Sequence, residues 1–271
     1  MADGRPIGLF DSGIGGLTVA RALSEHLPDE RLVYFGDTAH HPYGEKSPDH
    51  IRLFSDDIAR FLIDDMDCKV LVIACNTASA IAYSSLRDRL AGRVPVINVI
   101  DPVVEAVVAS PALQHVGVIA TQTTVDSGVY QEKLARRRPD LRVSALATPL
   151  LAPMIEEGFG GDDIREAILH RYLDDPALDG IDGLILGCTH YPLIRTLIEA
   201  VLGPERIVFD STDIVAGKLA RILDAEGLRT SERTGPDRFF VSDYTTTFES
   251  SARRFYDRTV DLTQHTVSTT H

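Results

Sequence analysis

The chain has 271 residues, enough for one large or two modest domains, each with its own core. Hydrophobic residues make up 44% of it, as expected of a globular protein, and its formal charge of −13 argues against a sequence-independent grip on nucleic acid or an anionic membrane. Its three cysteines, Cys68, Cys75 and Cys188, are odd in number and far apart, so they suggest no disulfide framework and fit a reducing compartment.

The opening "MADGRPIGLFDSG" lacks the basic-then-apolar pattern of a secretory signal, and no segment approaches the roughly 18 apolar residues of a membrane span. The expectation is a cytoplasmic, soluble protein. Apolar runs of strand length follow at 6–10, 32–36, 70–74, 94–99, 116–120, 142–147, 183–187 and 206–209. Segments of helical period lie between them. Ile51, Phe54, Ile58 and Phe61 recur at spacings of three or four, as do Ile194, Leu197, Ile198 and Val201. Strands without polar alternation are buried on both faces, as in parallel sheets covered by helices, so the chain reads as α/β. The series appears to run twice, with a break near Val99 before "DPVVEA". "RFFVSDY" at 238–244, then a helix to about Asp257, could extend either sheet. Arg136, Arg137 and Arg138 read as a solvated helix end, and the polar tail from Thr263 to His271 is expected to fray.

In open α/β sheets ligands bind at the carboxyl ends of strands, so the informative residues should follow each strand directly. After the first strand comes "DSGIGGLTV", with Asp11, Ser12, Gly13, Gly15 and Gly16. Glycines there let backbone N–H groups approach a ligand, but the dinucleotide fingerprint fails at Thr18, no phosphate-binding lysine follows, and Asp11 would repel a phosphate. A tight turn with a helix cap accounts for the glycines equally well. After the second strand, "GDTAHHPYGEKS" offers a turn at Tyr43–Gly44 that could aim a backbone amide. His40 and His41 invite a metal reading. Adjacent residues rarely ligate one ion and no third ligand has a diagnostic spacing, so both read as solvated loop histidines.

After the third strand comes "ACNTASA", and after the seventh "LGCTHYPL". Each is an apolar strand, a cysteine at its end, then hydroxyl or amide side chains where a helix begins. A helix N-terminus lowers a thiol from its usual value of about 8.5. A single buried thiol could be a small core hydrophobe. Two in corresponding places of two α/β halves are hard to explain as filling. Cys68 lies before a strand in "DMDCKV", shares none of this, and reads as structural. Cys75, Cys188 and His190 could ligate zinc, although no close pair of cysteines clamps the ion. A Cys–His hydrolase would need one thiol, whereas a two-base proton transfer at a stereocentre needs both. Pyridoxal chemistry is disfavoured, because none of Lys46, Lys69, Lys133 and Lys218 sits at a clear strand-end site. An enzyme is favoured over a transport-type receptor, which has no use for paired thiols.

Taken together, "GLFDSGIGGLTV", "YFGDTAHHPYG", "VIACNTASA", "VGVIAT", "APMIEEG" and "LILGCTHYPL" resemble, in order, the motifs of the glutamate racemase family. That resemblance implies two similar α/β domains with mainly parallel sheets, residues 1–98 with 210–271 forming one and 99–209 the other. The active site would lie in the cleft between them. It implies cofactor-independent conversion of L-glutamate to D-glutamate for bacterial peptidoglycan, with no metal, and a homodimer. By the matching motifs, Cys75 and Cys188 are the two catalytic bases, Asp11 assists Cys75, His190 assists Cys188, and Glu156 stands near that histidine. Asp11, Ser12, Tyr43, Gly44, Asn76, Thr77, Thr121, Thr189 and His190 would hold the substrate. The chain departs from the family's usual pattern at Thr148–Pro149, at Ala152–Pro153, at His40–His41 and in "VIAT". Racemases of aspartate or hydantoins are the second enzymatic reading.

Overall fold

The apolar runs assemble two parallel sheets, and the computed structural model describes residues 3–267. In chain order the strands are β1 (Ile7–Asp11), β2 (Leu32–Gly36), β3 (Val70–Ile73), β4 (Val96–Asn98), β5 (His115–Ala120), β6 (Arg142–Ala147), β7 (Gly183–Gly187), β8 (Ile207–Phe209), β9 (Arg238–Val241) and β10 (Leu262–Gln264). One sheet has the order β10-β9-β2-β1-β3-β4, the other β6-β5-β7-β8, and every pairing is parallel. Every residue of β1, β2, β3, β5 and β7 is buried, which is why these runs show no polar alternation. The result is a two-domain α/β protein with helices over both sheets.

The helices follow the apolar spacing. Ser47 caps the helix Pro48–Arg60, its hydroxyl accepting from His50 N, and Pro48 opens it without losing a needed donor. Ile51, Ile58 and Phe61 then pack with Phe10 and Ile73 of the first sheet. The second spaced set is split: Ile194 falls in the short 3-10 turn Tyr191–Ile194, and Leu197, Ile198 and Val201 lie on the helix Arg195–Leu202. An apolar cluster runs from Leu9 and Leu17 on the first sheet's side to Leu184 and Leu186 on the second's, so apolar packing continues from one sheet to the other.

The C-terminal segment extends the first sheet, since β9 pairs with β2. The tail departs from expectation. Leu262–Gln264 forms β10 against β9, His265 N donates to Val241 O at 2.8 Å, and the His265 ring stacks on Phe61. Backbone pairing to an existing strand overrides the polar composition that suggested fraying. The part of that expectation covering 268–271 lies outside the described residues. Arg138 is paired with Asp140 at the surface end of the helix Val129–Arg137, and Cys68 is buried beneath Gly8, before β3 rather than after it.

The order of each sheet places its ligand crevice. The chain leaves β1 for β2 on one side, then places β3 on the other. It leaves β5 for β6 on one side, then places β7 on the other. Each reversal opens a crevice at the carboxyl ends of the paired strands, β1 with β3 and β5 with β7.

A buried ion pair ties the returning C-terminal segment down. Lys69 Nζ lies 2.7 Å from Glu30 Oε2 and also donates to the carbonyls of Asp3 and Leu228, while Glu30 Oε1 accepts from Thr230 N. Both side chains are fully enclosed. Lys69→Met leaves the carboxylate buried without its cation and is expected to cost about 3–5 kcal/mol in urea unfolding; adding Glu30→Leu should recover most of that loss, because the orphaned charge goes with it.

Candidate active site

Asp11 ends β1. Its Oδ2 accepts from the backbone of Gly13 (3.2 Å) and Gly16 (2.9 Å), which fixes the turn, while Oδ1 is buried without a partner among the described residues. The glycines serve close approach. A Cβ on Gly16 would stand 2.6 Å from Asp11 Cβ. One on Gly15 would stand 2.5 Å from the His190 ring and 2.6 Å from Thr189 Oγ1, residues that follow β7 in the other sheet. Thr18 adds to this contact, its hydroxyl donating to Thr189 O at 3.0 Å. The turn is therefore the seam between the two sheets.

Cys75 follows β3 and caps the helix Asn76–Arg89. Its sulfur accepts from Ala78 N at 3.4 Å, and its thiol donates to Ser12 Oγ at 3.7 Å. Burial, and then the Asp11 carboxylate, push this thiol up to about 12, against the lowering effects of the Ala78 N–H and Ser12. This reverses the expectation from the helix N-terminus: desolvation outweighs one long N–H···S contact. Cys188 follows β7 and lies 3.6 Å from His190 Nδ1. The His190 ring is buried, with the edge of Phe255 packed on it at 5.1 Å between centroids. Burial disfavours the imidazolium, but the Cys188 sulfur and the Glu156 carboxylate prevail and carry His190 up to about 10. Glu156, on the helix Leu151–Glu157, is held far below the carboxylate range: burial opposes its charge, and His190 and His41 more than compensate.

The remaining residues close the same space. Tyr43 is fully buried and its hydroxyl donates to Asp37 Oδ2 at 2.6 Å, so its contribution to the cavity is its ring and the turn that carries Gly44. Asn76 Oδ1 accepts from Tyr130, leaving Nδ2 buried and unpartnered among the described residues. Thr77 reaches Thr121 at 2.9 Å and Thr124 at 3.2 Å, a hydroxyl cluster joining the loops after β3 and β5. Asp11, Ser12, Tyr43, Gly44, Cys75, Asn76, Thr77, Thr121, Cys188, Thr189 and His190 all line one cavity. Among the described residues no lysine or arginine lines it. Glu156 stands behind it, at His190 and His41. Among the described residues no three His, Cys, Asp or Glu side chains converge as a metal-ion site.

Two side chains escaped the sequence reading. His41 is half-buried and engaged, its Nε2 3.1 Å from Glu156 Oε2. His40 is the exposed one, half out of the protein and stacked on Phe54 at 3.8 Å. Asp37 is buried after β2 and accepts from Tyr43, Ser242 and His40. Its place directly after a strand was the signal that could have singled it out.

The two parallel sheets thus present a thiol at a strand end on each side of one cleft. The family model for Asp/Glu/Hydantoin racemase matches residues 17–219, and the chain belongs to that family of isomerases. Along nearly its whole length it is similar to glutamate racemases. That of Neisseria meningitidis serogroup A is 45% identical over 258 residues, 95% of this chain and 94% of its own. The solved glutamate racemase of Francisella tularensis, in complex with D-glutamate, superposes with a TM-score of 0.90 at 38% identity over 98% of both chains. That of Thermus thermophilus, in complex with β-chloro-D-alanine, gives 0.88 at 39% over 100% of both.

Two outcomes follow from this geometry. Gly15→Ala must push the turn away from His190 and Thr189, and a displacement of this kind is expected to lower kcat/KM about 100-fold, measured alongside a thermal melt that keeps a single cooperative transition. The Glu156–His190 contact also makes stability depend on pH. His190, raised from 6.5 to about 10, adds stability that is complete below 6.5 and lost as pH climbs through about 10. Glu156, lowered from 4.5, adds stability that is present above 4.5 and lost in stronger acid. The unfolding free energy of the wild type minus that of Glu156→Gln/His190→Gln should therefore be largest between pH 4.5 and 6.5 and decline on both sides.

Proposed function

We propose that the chain interconverts L- and D-glutamate by a two-base transfer between Cys75 and Cys188, without a cofactor, and that this supplies D-glutamate for bacterial peptidoglycan. The observation that carries the reading is that two thiols from two sheets line one cavity, each with a different partner, Ser12 and Asp11 for Cys75 and His190 for Cys188. In the L-to-D direction Cys188 as thiolate takes the Cα proton. The electron pair spreads into the α-carboxylate, and the Cys75 thiol returns a proton on the opposite face. The His190 imidazolium is placed to balance negative charge on the Cys188 sulfur. Cys75, at about 12, rests as the thiol that delivery requires. In the reverse direction it must become the base. The substrate ammonium, drawn to the unpartnered Asp11 Oδ1, offsets the carboxylate that holds Cys75 protonated.

The cavity's polar atoms suit a dicarboxylate. Asn76 Nδ2, the hydroxyls of Ser12, Thr77, Thr121 and Thr189, the amide of Gly44 and the start of the helix Asn76–Arg89 can hold two carboxylates by charge-assisted hydrogen bonds, with no buried cation to neutralise. The reading includes a cytoplasmic homodimer and a division of each chain into 1–98 with 210–271 and 99–209. That the similar Neisseria, Francisella and Thermus proteins are glutamate racemases, one of them bound to D-glutamate, supports the choice of substrate.

Serine is too weakly acidic to replace a thiol as base. Cys75→Ser and Cys188→Ser should each abolish racemisation followed by circular dichroism. Each should still release chloride from one enantiomer of β-chloroglutamate, since elimination needs one base. The preferences should be opposite, Cys188→Ser keeping the D-form and Cys75→Ser the L-form, while Cys68→Ser does both reactions normally. A Cys75→Ser enzyme that still inverts glutamate, or two variants with one shared preference, would refute the mechanism.

A further inference from the structure

His41 and His190 approach one carboxylate oxygen from opposite sheets. His41 Nε2 is 3.1 Å from Glu156 Oε2, within hydrogen-bond reach, whereas His190 Nε2 is 3.7 Å from the same atom, beyond it. His190 Nε2 is accordingly buried without a hydrogen-bond partner among the described residues. The His41 ring lies against the turn after β1, where a Cβ on Gly13 would come within 2.8 Å of Nδ1, so it has little room to turn aside. The backbone of Glu156 is fixed from a third direction, because Ser251 and Arg254 of the helix Thr246–Tyr256 both donate to its carbonyl. Only the carboxylate can choose between the two imidazoles.

We propose that His41 is a positioning residue which holds the Glu156 carboxylate away from His190 and thereby sets how firmly the Cys188 side of the site keeps its proton. Among the described residues, the charged and titratable groups facing His190 are Cys188 at Nδ1, Glu156 at Nε2, His41 across that carboxylate and Arg254 behind it; Phe255 packs edge-on against the ring. Of these, His41 alone competes with His190 for an acceptor. Either protonation state of His41 acts in one direction: its N–H withdraws the carboxylate's charge, and its cation adds a like charge near His190. Removing it frees Glu156 to close on His190 and strengthens the imidazolium. The inference deepens the racemase reading and uses the same site, but it concerns the contact rather than the reaction.

The test is an NMR titration of the His190 imidazole in the full-length protein, the signal assigned by its loss in His190→Gln. His41→Leu should raise the His190 midpoint by about half a pH unit or more, a three-fold or greater change in proton affinity. His41→Gln places an amide N–H where Nε2 stood and should leave the midpoint near the wild-type value. If the leucine variant does not fold, His41→Asn, whose amide is too short to reach the carboxylate, should show the same rise. The limb of the kcat/KM profile that follows His190 should move with the midpoint. An unchanged or lowered midpoint in the leucine or asparagine variant would overturn the proposal, as would a glutamine variant that rises as far as leucine. The titration needs no turnover, so it can fail in an active racemase and succeed in an inactive one.

Discussion

The site depends on one close approach, that of the turn after β1 to Thr189 and His190 after β7. No side chain fits between Gly15 and the His190 ring. Through that contact two separately formed sheets bring their strand ends to a single cavity. Thr18 fastens the same seam with a hydrogen bond, and Thr77, Thr121 and Thr124 close it on the other side through their hydroxyls. The catalytic geometry is thus a property of the seam. Neither sheet contains it alone.

The electrostatics of the cavity follow from its closure. Burial keeps Cys75 neutral and would neutralise His190 and Glu156 as well, were it not for Cys188 and Glu156 beside His190, and for His190 and His41 beside Glu156. The two halves are therefore unlike: a protonated thiol beside a carboxylate on one face, and a thiol beside an imidazolium on the other. A two-base reaction benefits from this difference, because one group must hold a proton while the other lacks it. Among the described residues no arginine or lysine stands in the lining, so on the proposed reading hydrogen-bond donors hold the anions and the protons move between the cysteines and their partners.

Much of this was legible in the order of residues. The apolar runs located β1, β2, β3, β5 and β7 to within a residue or so, since a strand buried on both faces must be apolar throughout, and also β6, although that edge strand is only partly buried. The strand-end rule then pointed to Asp11, Cys75 and Cys188, and the family resemblance added Thr121. It pointed to Asp37 too, a residue passed over because nothing local distinguishes an acid that orients a tyrosine from one in solvent. The run at 94–99 overstated the short strand β4, and β10 was not foreseen at all. Pro95 has no N–H to offer a neighbouring strand, and β10 owes its form to an edge made by a segment over twenty residues earlier.

The sequence by itself determined what depends on neighbours along the chain: the α/β alternation, the glycine turn, and the repeated cysteine at the start of a helix. Tertiary structure decided what depends on the distance between segments far apart in the chain. It turned the glycines from a ligand cradle into a packing seam, raised Cys75 where a helix start alone would have lowered it, and brought the half-buried His41 against Glu156, which it shares with His190. The physical reason is common to all three. Desolvation and charge proximity depend on which groups surround an atom, and those groups come from a second sheet whose position no local pattern encodes.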